Sequence, residues 1–299
     1  MIEVQIEPMI FEKPDWGYYY HSQRLVQSTD EAMRVVLFGS TLGGLWVLEA
    51  LRKLKFEYGE NRIQLIGLAT DDPRLEHSKI SMNKRIWQYF EPQMRNRMVQ
   101  GIINRAVSES MEVFTGNIKT DFFERLLYKW KPDLIIMACF GQIVPSSIFN
   151  YPNLGMYNFH PSDLKNNIGI GPKPFEDTIS HKISNTRVSL MEVTEIIDHG
   201  PMVAQSPPIC ITDSQGKFFD DILLAEEKIT SVFPFMTNIL IKKLLPLHGM
   251  KLEVNSLKID MENEIDRCIK DYLLGKLSGK HSENYPFPDL EWYNQIQSK

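Results

Sequence analysis

Short apolar runs separated by helix-favouring segments restrict this chain to very few folds. The runs are Arg34–Phe38, Ile63–Ala69, Leu134–Cys139 and Gly155–Phe159. Each is short, bounded by turn residues and predominantly apolar, fully so at Leu134–Cys139, as expected of strands buried on both faces. Between the first two lies Gly39–Gly44, a turn that opens a helix through about Leu54. Residues 74–108 are charged and helix-favouring, and Met111–Phe114 is a brief further strand. Asp121–Trp130 has the spacing of an amphipathic helix that Lys131-Pro132 stops. Strand–helix alternation of this kind predicts an α/β protein with a doubly wound, mostly parallel sheet.

The ends differ in character. Residues 1–30 are aromatic and irregular, with Trp16 and Tyr18–Tyr20, and are expected to form an extension laid on the core. Residues 31–210 form the main domain, and 211–299 a C-terminal helical and irregular extension. Val188–Val193 and Met202–Ser206 are expected strands around an Asp198-His199-Gly200 turn. Helices are expected over Gly216–Phe233, with Ser214 as a cap and Pro234 as a kink or stop, over Phe235–Leu245, and over Glu262–Leu274.

Composition removes some functions. A net charge of -5, with no long block of one sign, argues against non-specific binding to nucleic acid. No apolar run approaches the roughly 20 residues needed to span a bilayer. Cys139, Cys210 and Cys268 are far apart in sequence and suit a reducing compartment. The N-terminus has no basic n-region of the secretory type, so a cytoplasmic location is expected.

Asn158 and His160 lie two apart at the end of an expected strand, so their side chains share a face. With a carboxylate such as Asp198, they could bind a developing oxyanion and move a proton, as acyl transfer requires. The duller readings are a satisfied polar pair at a strand end and a simple Asp-x-Gly turn. A metal site on His160, Asp198 and His199 has no cysteine or further histidine cluster to support it. Gly39–Gly44 is neither Gly-x-Gly-x-x-Gly nor a P-loop. It is a plain strand-to-helix turn or a contact for a substrate phosphate.

Ala138–Pro145, Leu154–Ser162, Gly169–Pro172 and Thr194–Gln205 together resemble the folate-dependent formyltransferases, which include methionyl-tRNA, glycinamide-ribotide and amino-sugar enzymes. The resemblance runs from about residue 33 to 230 and is strongest over 133–205. One departure is Asp163-Leu164-Lys165, where the family commonly has leucine-leucine-proline. Nothing in the C-terminal part resembles the barrel domain of the methionyl-tRNA enzymes.

The resemblance implies a Rossmann-like fold and N10-formyltetrahydrofolate as co-substrate. It implies Asn158, His160 and Asp198 as the reacting trio, with His160 helping to hold the oxyanion or acting as base. Asp198 would orient His160, stabilise its charge or relay the proton through water. The folate is then expected beside Cys139, Phe140, Gly141, Gln142, Ile143 and Val144. The expected activity is formyl transfer to a primary amine of a small molecule, a nucleotide-linked amino sugar being one acceptor class. A methionyl-tRNA-type enzyme, a non-catalytic folate- or nucleotide-binding protein and a nicotinamide-dependent reductase are the alternatives. A homo-oligomer is compatible with the sequence.

Overall fold

The computed structural model describes residues 9–10, 17–21, 31–73, 86–213, 215–250 and 257–268. In chain order, the strands are β1 (Met9–Ile10), β2 (Gly17–Tyr20), β3 (Met33–Gly39), β4 (Ile63–Thr70), β5 (Glu112–Gly116), β6 (Leu134–Ala138), β7 (Met156–His160), β8 (Asn185–Thr186), β9 (Ser189–Glu192), β10 (Met202–Gln205) and β11 (Ile209–Cys210). The helices are α1 (Thr41–Tyr58), α2 (Pro92–Ser108), α3 (Asp121–Trp130), α4 (Ser146–Phe149), α5 (Pro174–Ser180), α6 (Ile222–Thr230) and α7 (Phe233–Gly249). Residues 261–268 are also helical.

The main sheet runs β1-β2-β5-β4-β3-β6-β7-β9-β10. Its centre, from β5 to β7, is parallel, and the flanking pairs on both sides are antiparallel. Alternation along β3 explains why Val35–Phe38 is apolar at every position. Val35 and Leu37 enter the core beneath α1, α2, α6 and α7, while Val36 and Phe38 enter the opposite core with Phe123, Leu127 and Trp130 of α3. Within the parallel centre the chain runs from β3 outward through β4 and β5, then returns to β6 and β7. That reversal falls between β3 and β6, on the carboxyl edge where sheets of this type bind ligands.

Several expected boundaries move. The tyrosine run, read as irregular, is strand β2, paired along its length with β5 from Gly17↔Gly116 to Tyr20↔Val113. An exposed sheet edge supplied a partner that no local pattern reveals. Helix α6 starts at Ile222, with the Asp221 carboxylate accepting from Leu223 N at 2.8 Å. The expected cap, Ser214, lies outside the described residues, and the segment before α6 makes a Thr212↔Phe218 bridge instead. Pro234 sits in the first turn of α7, where its missing N–H costs nothing, so it begins that helix and does not end one. Residues 74–85 of the expected helical stretch and 269–274 of the last helix lie outside the described residues, as do Trp16 and the remainder of the two ends.

Helix α1 rides unusually close to the sheet. A Cβ on Gly44 would stand 2.6 Å from the backbone carbonyl carbon of Gly39. Gly44→Ala is therefore expected to destabilise the fold by about 1–3 kcal/mol through overpacking. A urea titration reads this directly, and an unchanged midpoint would show that α1 can lift off β3.

Candidate active site

A cavity of about 630 Å³ opens at the carboxyl ends of β6 and β7. Strand β7 contributes Asn158 and His160, both buried and both lining the cavity. The third side, the loop between β9 and β10, contributes Asp198 with φ at +56°, a left-handed conformation that a short polar side chain tolerates. The Asp198 carboxylate divides its two oxygens. Oδ1 lies 3.4 Å from His160 Nδ1, and Oδ2 accepts from Gly171 N at 2.8 Å.

The other ring nitrogen, His160 Nε2, lies 2.6 Å from the carbonyl oxygen of Gly169. A carbonyl can only accept, which assigns the proton of a neutral ring to Nε2. Nδ1 then presents a lone pair toward Asp198, and a second ring proton would turn that contact into an ion pair. Gly169 has φ at +69°, and a Cβ there would fall 2.5 Å from Ser162 Cβ, so only glycine fits. Asn158 differs from its neighbours, because its side-chain amide makes no hydrogen bond among the described residues and faces the cavity.

Cys139, Phe140, Gly141, Gln142, Ile143 and Val144 all line the same cavity. Their polar groups are partly committed to the fold. Gln142 Oε1 accepts from Ile118 N at 3.2 Å, and its amide donates to Gly116 O at 2.6 Å. Gly141 N donates to Asp71 Oδ2 at 2.5 Å, and a Cβ on Gly141 would collide with that carboxylate. The glycine thus makes room for Asp71, a residue that reads in sequence as an ordinary turn acid. Asp71 also accepts from Ser40 Oγ at 2.9 Å, joining the carboxyl end of β4 to the turn after β3 and to the cavity loop. Its position directly after a buried parallel strand was the available signal. Exposed Ile143, Ile196 and Ile197 line the cavity too.

The Asp163-Leu164-Lys165 departure also has a structural account. The Asp163 carboxylate is buried, accepting from Gln205 Nε2 at 2.8 Å and Asn166 Nδ2 at 2.7 Å. A polar clasp therefore shapes the loop after His160.

The turn at Gly39–Gly44 does not present a free helix N-terminus. Glu226 of α6 is buried there, and its Oε1 accepts from Leu42 N at 3.3 Å. Burial pushes its carboxyl up to about 7, with Thr41 and the Leu42 N–H pulling part of the way back. A buried protein carboxyl occupies the position a phosphate would need. His199 is exposed, and among the described residues no group of three or more histidine, cysteine or acidic side chains could hold a metal ion. Among the same residues, no helix is long and apolar enough to cross a membrane.

The molecule is thus a doubly wound sheet with a histidine–carboxylate pair in a cavity at the carboxyl end of β7, and comparison with known proteins identifies its class. The formyl transferase family matches residues 34–232, and the chain belongs to that family. The match runs past residue 210 and takes in α6. Methionyl-tRNA formyltransferase of Syntrophus aciditrophicus is 39% identical over 88 residues, 29% of this chain and 28% of that protein. The enzyme of the same title from Dictyoglomus thermophilum is 28% identical over 188 residues, 62% of this chain and 52% of its own. The chain thus aligns with about half, or less, of the length of these relatives. Phosphoribosylglycinamide formyltransferase of Bacillus halodurans superposes with a TM-score of 0.51 at 20% identity, covering 71% of this chain and 95% of that one, which shows a shared fold.

Proposed function

We propose that this protein transfers a formyl group from N10-formyltetrahydrofolate to a primary amine of a small molecule. The observation that carries the reading is the uncommitted Asn158 amide in the same cavity as the His160–Asp198 pair. Because the amide borders the cavity and makes no hydrogen bond among the described residues, its N–H is available to a ligand there. The apolar side chains at Ile143, Ile196 and Ile197 suit a flat heteroaromatic ring, and their loops supply backbone groups beside it. The folate, when bound, supplies an activated one-carbon unit.

The chain's own groups then divide the work. Asn158 donates its N–H to the formyl oxygen as that oxygen gains negative charge, a contribution of about 3 kcal/mol for donors of this kind. His160 Nδ1, on the Asp198 side, accepts the proton that the attacking amine loses, and would return it to the folate nitrogen as the bond from that nitrogen to the formyl carbon breaks. Asp198 stabilises the resulting imidazolium and keeps its place by holding Gly171 N. Residues 31–210 carry this chemistry in the proposal.

The acceptor is read as a small amine, nucleotide-linked amino sugars included. Such an amine would not anchor a phosphate on the α1 N-terminus, because Glu226 occupies it. The curated relatives favour methionyl-tRNA as the second candidate. The test mixes the full chain with 10-formyltetrahydrofolate and a panel of both acceptor types and follows tetrahydrofolate release. Amine-dependent release with a small amine is the expected result. Release only with methionyl-tRNA would transfer the reading to that acceptor. Folate binding without release would leave a folate-binding protein, and tight NADH binding would revive a reductase.

A further inference from the structure

We infer that Asp177 is a positioning residue that holds the His160 imidazole through the Gly169 peptide. The inference rests on the reading of His160 as part of the transfer site. Asp177 lies in the first turn of α5 and does not line the cavity. Its Oδ2 accepts from Gly169 N at 2.5 Å. The carbonyl of the same residue accepts from His160 Nε2 at 2.6 Å and from Ser162 Oγ at 3.2 Å. One glycine therefore joins a carboxylate outside the cavity to the ring inside it. The forced left-handed φ at Gly169 fixes which way its two polar groups point. A side-chain oxygen on the N–H side holds that peptide in place, and with it the carbonyl that accepts from the ring.

Asp198 holds the segment at its other end, through Gly171 N. Two carboxylates thus bracket residues 169–171, and the ring sits between the Gly169 carbonyl and Asp198. If the Asp177 contact fails, Gly169 can turn its carbonyl away. Nε2 then loses its acceptor, and the ring is free to place its proton on Nδ1, where it would donate to Asp198. That exchange removes the lone pair the proposed base needs.

A purely structural alternative exists, since an acid in the first turn of a helix is favourable by itself, and His181 Nδ1 lies 3.6 Å from Asp177 Oδ1. Two variants separate the readings. Asp177→Asn keeps a side-chain oxygen for Gly169 N, and Asp177→Leu removes it. The first readout is the imidazole 15N–1H correlation pattern of His160, recorded without any substrate. The expected result is an Nε2–H ring in the wild type and in Asp177→Asn, with Nδ1–H signal emerging in Asp177→Leu. An unchanged pattern in the leucine variant would overturn the inference, whether or not formyl transfer is the activity. The second readout is turnover. Asp177→Leu is expected to lower kcat by about 10–100-fold, the scale of small misplacements of a reacting group, with KM for the folate unchanged and Asp177→Asn close to wild type. Equal loss in both variants would assign the effect to charge and reject the hydrogen-bonded relay. If Asp177→Leu does not fold, the asparagine variant decides: a ring that has lost its Nε2–H pattern overturns the inference, and a retained one supports it.

Discussion

His160→Ala is expected to lower kcat for formyl transfer by about 10²–10⁴-fold, the usual range for loss of a positioned acid–base group. Binding of a folate analogue should survive, because the apolar walls and the Cys139–Val144 loop do not depend on the ring. Asp198→Ala should fall nearly as far, since it removes both the partner of Nδ1 and the acceptor for Gly171 N. Asp198→Asn separates these two duties, because an amide oxygen can still accept from Gly171 N while the negative charge is gone. A severe loss in Asp198→Asn assigns the role to charge, and near-normal turnover assigns it to loop placement. The double variant His160→Ala/Asp198→Ala should be no slower than the worse single one, since groups that act as a unit are not additive. Steady-state rates and folate titrations check all four. Unchanged kcat in both alanine variants would remove these residues from the reaction.

The second large effect concerns stability. The Glu226 carboxyl is raised by burial from its ordinary 4.5 to about 7. Between those values, the folded chain keeps a proton that the unfolded chain has lost. Its contribution is therefore fully present below about 4.5 and is lost as pH rises through about 7. A shift of this size corresponds to about 3 kcal/mol. Glu226→Gln keeps an oxygen for Leu42 N and cannot ionise. The variant is expected to match wild type at pH about 4 and to exceed it by about 1–3 kcal/mol at pH about 8. Urea midpoints at several pH values measure the difference. Parallel curves would show that the Glu226 carboxyl binds its proton equally in the folded and unfolded chains, so that burial does not raise it.

The two alternating faces of β3 explain why the fold was legible. A strand covered on both sides has no polar face, so Val35–Phe38 reads as a strand with or without knowledge of its neighbours. Helix α3 was equally plain, because its amphipathic spacing and Lys131-Pro132 mark it by local chemistry; the structure adds the cap at its start, where Thr120 Oγ1 accepts from Phe123 N at 3.2 Å. Strand β2 was not legible, because its stability comes from an edge nearly a hundred residues away. Pro234 misled for a related reason, since a proline starts or stops a helix according to what lies on either side.

For the site, spacing alone put Asn158 and His160 on one face, because a strand repeats every two residues. The resemblance named Asp198. Sequence could not show that Gly169 is the acceptor for the ring, that Asp177 holds Gly169, or that Glu226 closes the α1 turn. Local periodicity, turn chemistry and capping are written in neighbouring residues, and they decided the sheet and its helices. Hydrogen bonds between segments decided the rest. Their partners are fixed by where distant pieces of chain come to lie, and short-range physics carries no record of that distance.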